Sequence, residues 1–424
     1  MQNLLRQEWH AIATWIISLV SIALVLIRPR GWAEAWWAMI GACALIFCGL
    51  ISPISAIHAV GKGTDVYLFL IGMMVISELA RREGVFDWLA RHAVTASKGS
   101  HSRLFLLIYC VGVVVTVFLS NDATAVVLTP AVLAAVRAAE VEPLPYLLIC
   151  AFIANAASFV LPLSNPANLV VYSGGMPPLG QWLLTCGLPS LASILLTFLI
   201  LRWLVKKLLE GRVRTSISGG ALSVNGQMTL CGIGFLAIVL MSASAMNRDL
   251  GAPACVSGLL VAGVVSIRDN SAIKEMAKEI PWSVIPLVAG LFVIVEALNG
   301  AGALRIAVRS LEEMKNWPPT QAALTSGFGI ALISNLMNNL PSGLISGTAV
   351  RMAGVTGPLR NAVLIGVDLG PNFSVTGSLA TILWLIAIRR ERLNVGFWTF
   401  LKLGVVVTPP ALSIAILALL LRRG

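Results

Sequence analysis

Twelve apolar stretches, most of them long enough to reach across a lipid bilayer, constrain this chain more than any other feature. They fall at about 10–27, 33–51, 65–80, 104–136, 145–176 and 181–205, and again at about 228–246, 250–267, 283–298, 321–350, 358–388 and 395–421. Of 424 residues, 58% are hydrophobic and 12% charged, whereas a soluble domain carries about a quarter charged residues. A soluble core cannot hide that much apolar surface, so most of it faces lipid or other spans. In lipid, backbone groups must be satisfied within the segment, and the fold class that follows is an all-α polytopic membrane protein. The first run, His10 to Ile27, is long enough to stay as a span and lacks a cleavable leader pattern.

The net charge of +11 belongs to loops, because Lys and Arg cluster between the apolar runs. It is therefore read as cytoplasmic loop charge and not as a nucleic-acid surface. The seven cysteines (43, 48, 110, 150, 186, 231, 255) are scattered singly in apolar sequence, as small hydrophobes rather than disulfides or metal ligands. The four histidines show no ligand spacing. No metal or cofactor is expected, and no nucleophile–base constellation points to an enzyme.

Between the two series of apolar runs lies a polar stretch, residues 211–227, which reads as a linker between a first repeat (1–210) and a second (228–424). Gly72 and Glu78 align with Gly290 and Glu296, 218 residues on; Ser120-Asn121 with Ser334-Asn335, 214 on; and Ser164 with Thr376, 212 on. Three anchors in one order imply an internal duplication. The run 104–136 is interrupted only by Ser120-Asn121-Asp122, leaving arms of about 16 residues. At 1.5 Å per residue each arm is shorter than a ~30 Å hydrocarbon core. A re-entrant hairpin with a protein-buried tip fits better than two spans, and the run 321–350 reads the same way. Five spans per half, about ten in all, force the second repeat to be inverted. With both termini outside, cytoplasmic positions hold 20 of the 30 Lys and Arg, as the positive-inside rule prefers. Plain hydropathy counting gives a rival of about twelve spans. Segments 81–97 and 300–315 mix charges with apolar residues and read as amphipathic surface helices or as ordinary loops.

Polar groups enter the apolar sequence in four places: residues 120–124, 155–168 within a broken span at 145–176, 334–342, and 368–381 within a broken span at 358–388. Pro or Gly accompanies each cluster and breaks the helix, freeing backbone groups that need partners or can bind a solute. The candidate solute ligands are amides and hydroxyls: Asn121, Thr124, Asn155, Ser158, Ser164, Asn165, Asn168, Asn335, Asn338, Asn339, Asn372, Thr376 and Ser378. No Lys or Arg accompanies them, which favours a small neutral polyhydroxyl solute or Na⁺ over a carboxylate. Asp122 and Asp368 are costly at membrane depth, and each could carry a proton from one side to the other, or could simply cap a helix. Glu78 and Glu296 end equivalent spans and read as structural; Asp65 reads as interfacial.

The stretches FLSNDATAVVLTPAVL (118–133), SNLMNNLPSGL (334–344) and IGVDLGPNFSVTGSLATILWL (365–385) resemble the ArsB-type arsenite and antimonite efflux pumps of the ion transporter superfamily. The resemblance runs in order along nearly the whole chain. It implies an inverted-repeat fold of ten spans with two opposed hairpins, in a bacterial cytoplasmic membrane, exchanging arsenite or antimonite for protons. The implied site positions are Asn121, Asp122 and Thr124, with Asn338, Asn339, Asp368 and Thr376 in the second half. A cytosolic ATPase subunit is a possible partner. One departure is clear: Asn155 opens NAASFVLPLSNPAN, where members of this type carry an Asp near the start. Arsenious acid is a neutral trihydroxy compound, and no cysteine lies in the four polar stretches to trap it. A Na⁺/H⁺ antiporter of the same fold is the alternative.

Overall fold

The apolar runs fold as helices throughout, and side chains just outside several helix starts close the first turn. Ser52, Ser100 and Ser223 each accept a hydrogen bond from a backbone N–H three residues on, satisfying a donor that the helix itself cannot. The structure, a computed structural model, describes residues 2–172, 175–211, 213–214, 220–267, 270–393 and 395–421. The linker expected at 211–227 thus lies partly outside the described residues. Its described part is pinned to the first half, where Val213 N–H donates to Gly99 O and Arg214 N–H to Ala139 O.

In the first half the helices are α1 (Gln2–Ile27), α2 (Glu34–Phe47), α3 (Pro53–Gly61), α4 (Thr64–Arg82), α5 (Val85–Ala96) and α6 (His101–Phe118). They continue as α7 (Asn121–Ala123), a π-helical turn (Thr124–Leu128), α8 (Thr129–Ala138), α9 (Leu144–Ala156), α10 (Pro166–Val171) and α11 (Leu179–Leu204). The second half has α12 (Val224–Ala245), α13 (Gly251–Val265), α14 (Asn270–Glu279), α15 (Val284–Gly300) and α16 (Ala303–Met314). It ends with α17 (Pro319–Met337), α18 (Asn339–Met352), α19 (Gly357–Leu369), α20 (Leu379–Arg390) and α21 (Phe397–Leu420).

Among the described residues, five single helices are long and apolar enough to cross a membrane: α1, α6, α11, α12 and α21. The pairs α3–α4, bent by 49°, and α15–α16, bent by 72°, raise the number to seven if each pair is one span. Three shorter apolar helices, α2, α9 and α13, complete the set. One length differs from expectation. Ser100 caps α6 at His101, so this hairpin arm has 18 residues rather than about 16, or about 27 Å.

Two bodies of helices can be traced by packing. In one, α4 lies along α13 and α2 along α15; in the other, α11 lies along α21 and α17 along α19. The first body is close-packed through glycine. A Cβ on Gly72 would lie 2.2 Å from the Ala254 carbonyl oxygen, and one on Gly290 2.8 Å from the Ala38 carbonyl carbon. Small residues at such crossings let backbones approach where lipid supplies no hydrophobic drive. The amphipathic segments fold as α5, which packs on the arms α6 and α8, and α16, which packs on α18. Glu78 pairs with Arg81 and Glu296 with Lys62, at 2.5 and 3.0 Å, the structural roles read for them. Asp65 accepts from the Gly251 N–H at 2.6 Å, closing the start of α13.

The second body is anchored by aromatics. Phe152 of α9 stacks on Phe400 of α21 with ring centroids 5.2 Å apart, and Trp384 of α20 leans on the same ring. The Trp384 indole N–H donates to Leu147 O at 2.9 Å, so a large buried ring also satisfies its one polar atom.

Candidate functional site

Two hairpins meet head to head. In the first, α6 stops at Leu119 and the chain restarts at Asn121. The Ser120 side chain accepts from the Ala123 N–H at 3.1 Å, and Asn121 Oδ1 from the Asp122 N–H at 2.9 Å. In the second, the break is at Asn338, whose φ of 75° with ψ of 154° is a backbone conformation that glycine adopts far more readily than a residue with a side chain. Its Oδ1 accepts from the Leu340 N–H at 3.3 Å. Each hairpin is tied by a rung between hydroxyls eight residues apart: Thr116 to Thr124 at 2.8 Å, and Ser334 to Ser342 at 2.7 Å. The rungs and the tips are 218 residues apart, so Ser120 corresponds to Asn338 and Asn121 to Asn339. The pairing of Ser120-Asn121 with Ser334-Asn335 is corrected by this geometry. Ser334 and Asn335 lie inside α17, one turn before the tip.

In the first hairpin the helix widens into a π turn. Pro130 has no N–H to continue the ladder, and the Thr129 hydroxyl donates to the Thr124 carbonyl at 3.1 Å.

The broken spans supply the other two walls. Between α9 and α10, the Asn168 side-chain amide donates to the carbonyls of Ser158, Leu161 and Pro162 at 2.9–3.3 Å. Ser164 donates to Val117 O at 3.0 Å, fastening the loop to α6. Asn165 caps α10 through Ala167 N–H. Between α19 and α20, Asn335 donates to the carbonyls of Ala331 and Gly370, each at 2.8 Å, and accepts from Ser374 at 2.7 Å. Thr376 donates to Asn335 O at 3.1 Å, Asn372 donates to Phe152 O at 2.9 Å, and Ser378 caps α20 through Thr381 N–H. An unsatisfied carbonyl at this depth would cost several kcal/mol, so these side chains hold the breaks open.

The result divides the expected site residues. Asn121, Asp122, Asn165 and Asn339 line one narrow crevice, together with Pro166, Leu340 and Leu379. Leu70 of α4 and Val284 of α15 close it from the other body. Thr124, Ser164, Asn168, Asn335, Asn372 and Thr376 instead brace the hairpins and loops, and Asn338 caps α18 beside the crevice. Asn155 lies behind it, donating to Asn372 Oδ1 at 3.0 Å and Thr381 Oγ1 at 3.3 Å.

Four helical runs therefore begin at the crevice, at Asn121, Pro166, Asn339 and Leu379, each capped by the side chain just before it. Helix N-termini carry partial positive charge, although here caps and prolines take up the first N–H groups: those of Ala167, Asn168, Asn339, Leu340 and Ser342 are all bonded, and Pro166 and Pro341 have none. This is the feature that residue-by-residue reading missed. With no Lys or Arg among the crevice-lining residues, the polar walls offer backbone dipoles, amides and one acid. That set can bind oxygen-rich neutral solutes or small oxyanions. The signals were present as cap residues one place before a restart: Ser120, Asn165, Asn338 and Ser378.

The two acids differ in setting. Asp122 borders the crevice and is half-buried. Asp368, near the end of α19, is fully buried; its Oδ1 accepts from Asn165 Nδ2 at 2.7 Å, and the Ser158 hydroxyl, which donates to Asn155 O at 2.8 Å, also faces the carboxyl, whose Oδ2 makes no hydrogen bond of its own in this geometry. Asn165 thus stands between crevice and buried acid. An adjoining, narrow and mostly apolar pocket shares Leu340 and Leu379 with the crevice and reaches Glu34, which pairs with Arg28 at 3.0 Å. Among the described residues, no group of three or more His, Cys, Asp and Glu is placed to hold a metal ion.

Comparison with known proteins fits this architecture. Arsenical pump membrane proteins of Escherichia coli (strain K12) and Yersinia enterocolitica are each 26% identical to the chain, over 431 and 426 residues. In both cases the match covers 96% of this chain and 97% of the relative. Among solved structures, the Alcanivorax borkumensis YdaH transporter matches with a TM-score of 0.56 at 15% identity, covering 86% of this chain and 87% of that one. Neisseria gonorrhoeae MtrF, described as illuminating a class of antimetabolite efflux pumps, matches with a TM-score of 0.51 at 13% identity, covering 90% and 84%. At those identities the likeness is one of fold. The citrate transporter family matches residues 22–367, most of the chain including both hairpin tips, and the chain belongs to that family of membrane transporters.

Proposed function

We propose that this protein exports arsenite and antimonite across a bacterial cytoplasmic membrane in exchange for protons. The crevice carries the reading: four capped helix starts and three amides surround a space with one acid at its edge and a second behind Asn165. A trihydroxy solute can be held there by side-chain amides in the positive field of the helix starts, with no thiol among the crevice-lining residues to retain it. Asp122 and Asp368 are the proton carriers, and Asn121, Asn165 and Asn339 the solute ligands. The names of the relatives support the choice of solute.

The fold reading that goes with it has two inverted repeats, 1–210 and 228–424, with ten spans and two opposed re-entrant hairpins. Equivalent contacts support this: Gly72 against α13 and Gly290 against α2, and hairpin rungs at one constant separation. Both termini are periplasmic. The glycine-packed body stays fixed, while the body carrying the crevice moves against it by an elevator or rocking motion.

Everted vesicles test the function. Arsenite added to energised vesicles collapses the pH gradient, and Na⁺ alone does not. A Na⁺ response without an arsenite response overturns the reading in favour of a Na⁺/H⁺ antiporter, for which the unpartnered Asp368 Oδ2 is the favourable observation.

A further inference from the structure

Asp368 has a neutral counterpart in the other half. α9 and α19 are both 13 residues long, and Asn155 and Asp368 are the last residue but one in each. Their separation is 213 residues, as is that of the caps Asn165 and Ser378, and of Asn168 and Thr381 one turn further on. Both side chains are fully buried. Each reaches across to the restarting helix of the opposite half: Asn155 to Thr381 of α20 at 3.3 Å, Asp368 to the α10 cap Asn165 at 2.7 Å. Each also leaves one buried oxygen without a partner, Asn155 Oδ1 and Asp368 Oδ2.

The hydrogen bonds run in opposite directions. At Asp368 the other half supplies a donor, the Asn165 amide. At Asn155 it supplies acceptors, Asn372 Oδ1 and Thr381 Oγ1. The surroundings of Asn155 are built around an amide, whereas those of Asp368 are built around a carboxyl. No ion pair satisfies Asp368 among the described residues, and the Ser158 hydroxyl that faces it carries no charge, so its second oxygen can take a proton or a small cation.

We infer that Asn155 and Asp368 occupy equivalent seats for a coupling ion, a proton or another monovalent cation, and that this chain equips only one. Asp368 takes the ion on Oδ2 and returns it on the other side of the membrane. Asn155 can neither gain nor lose a proton in the working range, and it sets the coupling ratio one ion lower than an acid there would. The inference rests on the solute–ion exchange reading above. It assigns Asn155 as a positioning residue and as the determinant of stoichiometry.

The purified full chain in proteoliposomes provides the test, with arsenite flux and ion flux followed together, in Na⁺ buffer and in choline buffer. In the wild type, arsenite movement drives ion movement; persistence in choline assigns the proton, and loss in choline assigns Na⁺. Asp368→Asn lowers coupled ion flux by at least about tenfold. The exchange of the two residues, Asn155→Asp with Asp368→Asn, restores it to within about threefold of wild type. The Thr381 hydroxyl can turn to donate to the new carboxylate, and the acid's own proton can serve Asn372. Asn155→Asp alone raises the ions moved per arsenite by one, read from the reversal potential. A folded, monodisperse exchange variant as uncoupled as Asp368→Asn overturns the inference and leaves the transport reading standing. So does an unchanged reversal potential in Asn155→Asp, which decides the matter if the exchange variant does not fold. A wild type that moves arsenite without either ion overturns both.

Discussion

At the first hairpin tip the chain turns through Ser120 and sets Asp122 at the edge of the crevice; at the second it turns through Asn338 at positive φ and presents only amides. The frames are alike. Each has a cap just before the restart, a hydroxyl rung eight residues long and an Asn at the first helical position. The rung uses two threonines in one hairpin and two serines in the other. A frame that accepts either pair while the tip chemistry changes shows that shape and chemistry are separately encoded here. Under the proposed function the first tip carries charge as well as solute, and the second holds solute alone.

That contrast can be broken most severely at Asp122. Asp122→Asn is expected to abolish proton-coupled arsenite accumulation in everted vesicles while arsenite still binds to the purified protein. If binding fails and coupling of residual flux survives, the two tips have been assigned the wrong way round. Asn339→Ala is expected to weaken arsenite binding about tenfold, the worth of one or two hydrogen bonds in a dry site, with the ion-to-solute ratio unchanged in proteoliposomes. A changed ratio would extend charge handling to the second tip.

Smaller effects sharpen the likeness of the frames. Asn338→Ala removes a cap and leaves a residue with a side chain at φ 75°, and is expected to cost about 2 kcal/mol in thermal unfolding. Asn338→Gly keeps the backbone and should cost only a few tenths. Least of all, Thr116→Val and Ser334→Ala should each cost about 1 kcal/mol, the net value of one hydrogen bond. A marked inequality between those two would mean that the hairpins are braced differently.

Much of this frame is legible in the sequence. The helix pairs, the broken spans and the amphipathic α5 and α16 follow from apolar runs, Pro and Gly placement, and the offset of Gly72 and Glu78 to Gly290 and Glu296. The second tip is misplaced by four residues because Ser334-Asn335 repeats the letters of Ser120-Asn121, whereas Asn338-Asn339 repeats their geometry. Ser334-Asn335 and Asn338-Asn339 are both Asn-containing polar pairs one helical turn apart, and local sequence carries no signal for which turn breaks. The candidate site is less legible. Asn168 and Asn372 look like ligands because buried amides are costly without partners, yet carbonyls freed at the helix breaks are themselves the partners. Only tertiary structure tells a brace from a ligand. Glu34, which shares a cavity with Asn338 and Leu340, gives no sequence signal, lying next to tryptophans at the start of a short helix.

The reach of the bonds between halves bears on how the protein is made. Asn155 finds its acceptors at Asn372 and Thr381, more than 200 residues later, and Asn165 finds Asp368 at a similar distance. When the first half has entered the membrane, the side-chain N–H donors of Asn155 and Asn165 lack these acceptors, at a depth where orphaned polar groups are costly. A ribosome that stops after α11 leaves a product exposed to proteolysis. Conversely, the two halves supplied as separate polypeptides carry complementary unsatisfied groups, which favour their finding one another.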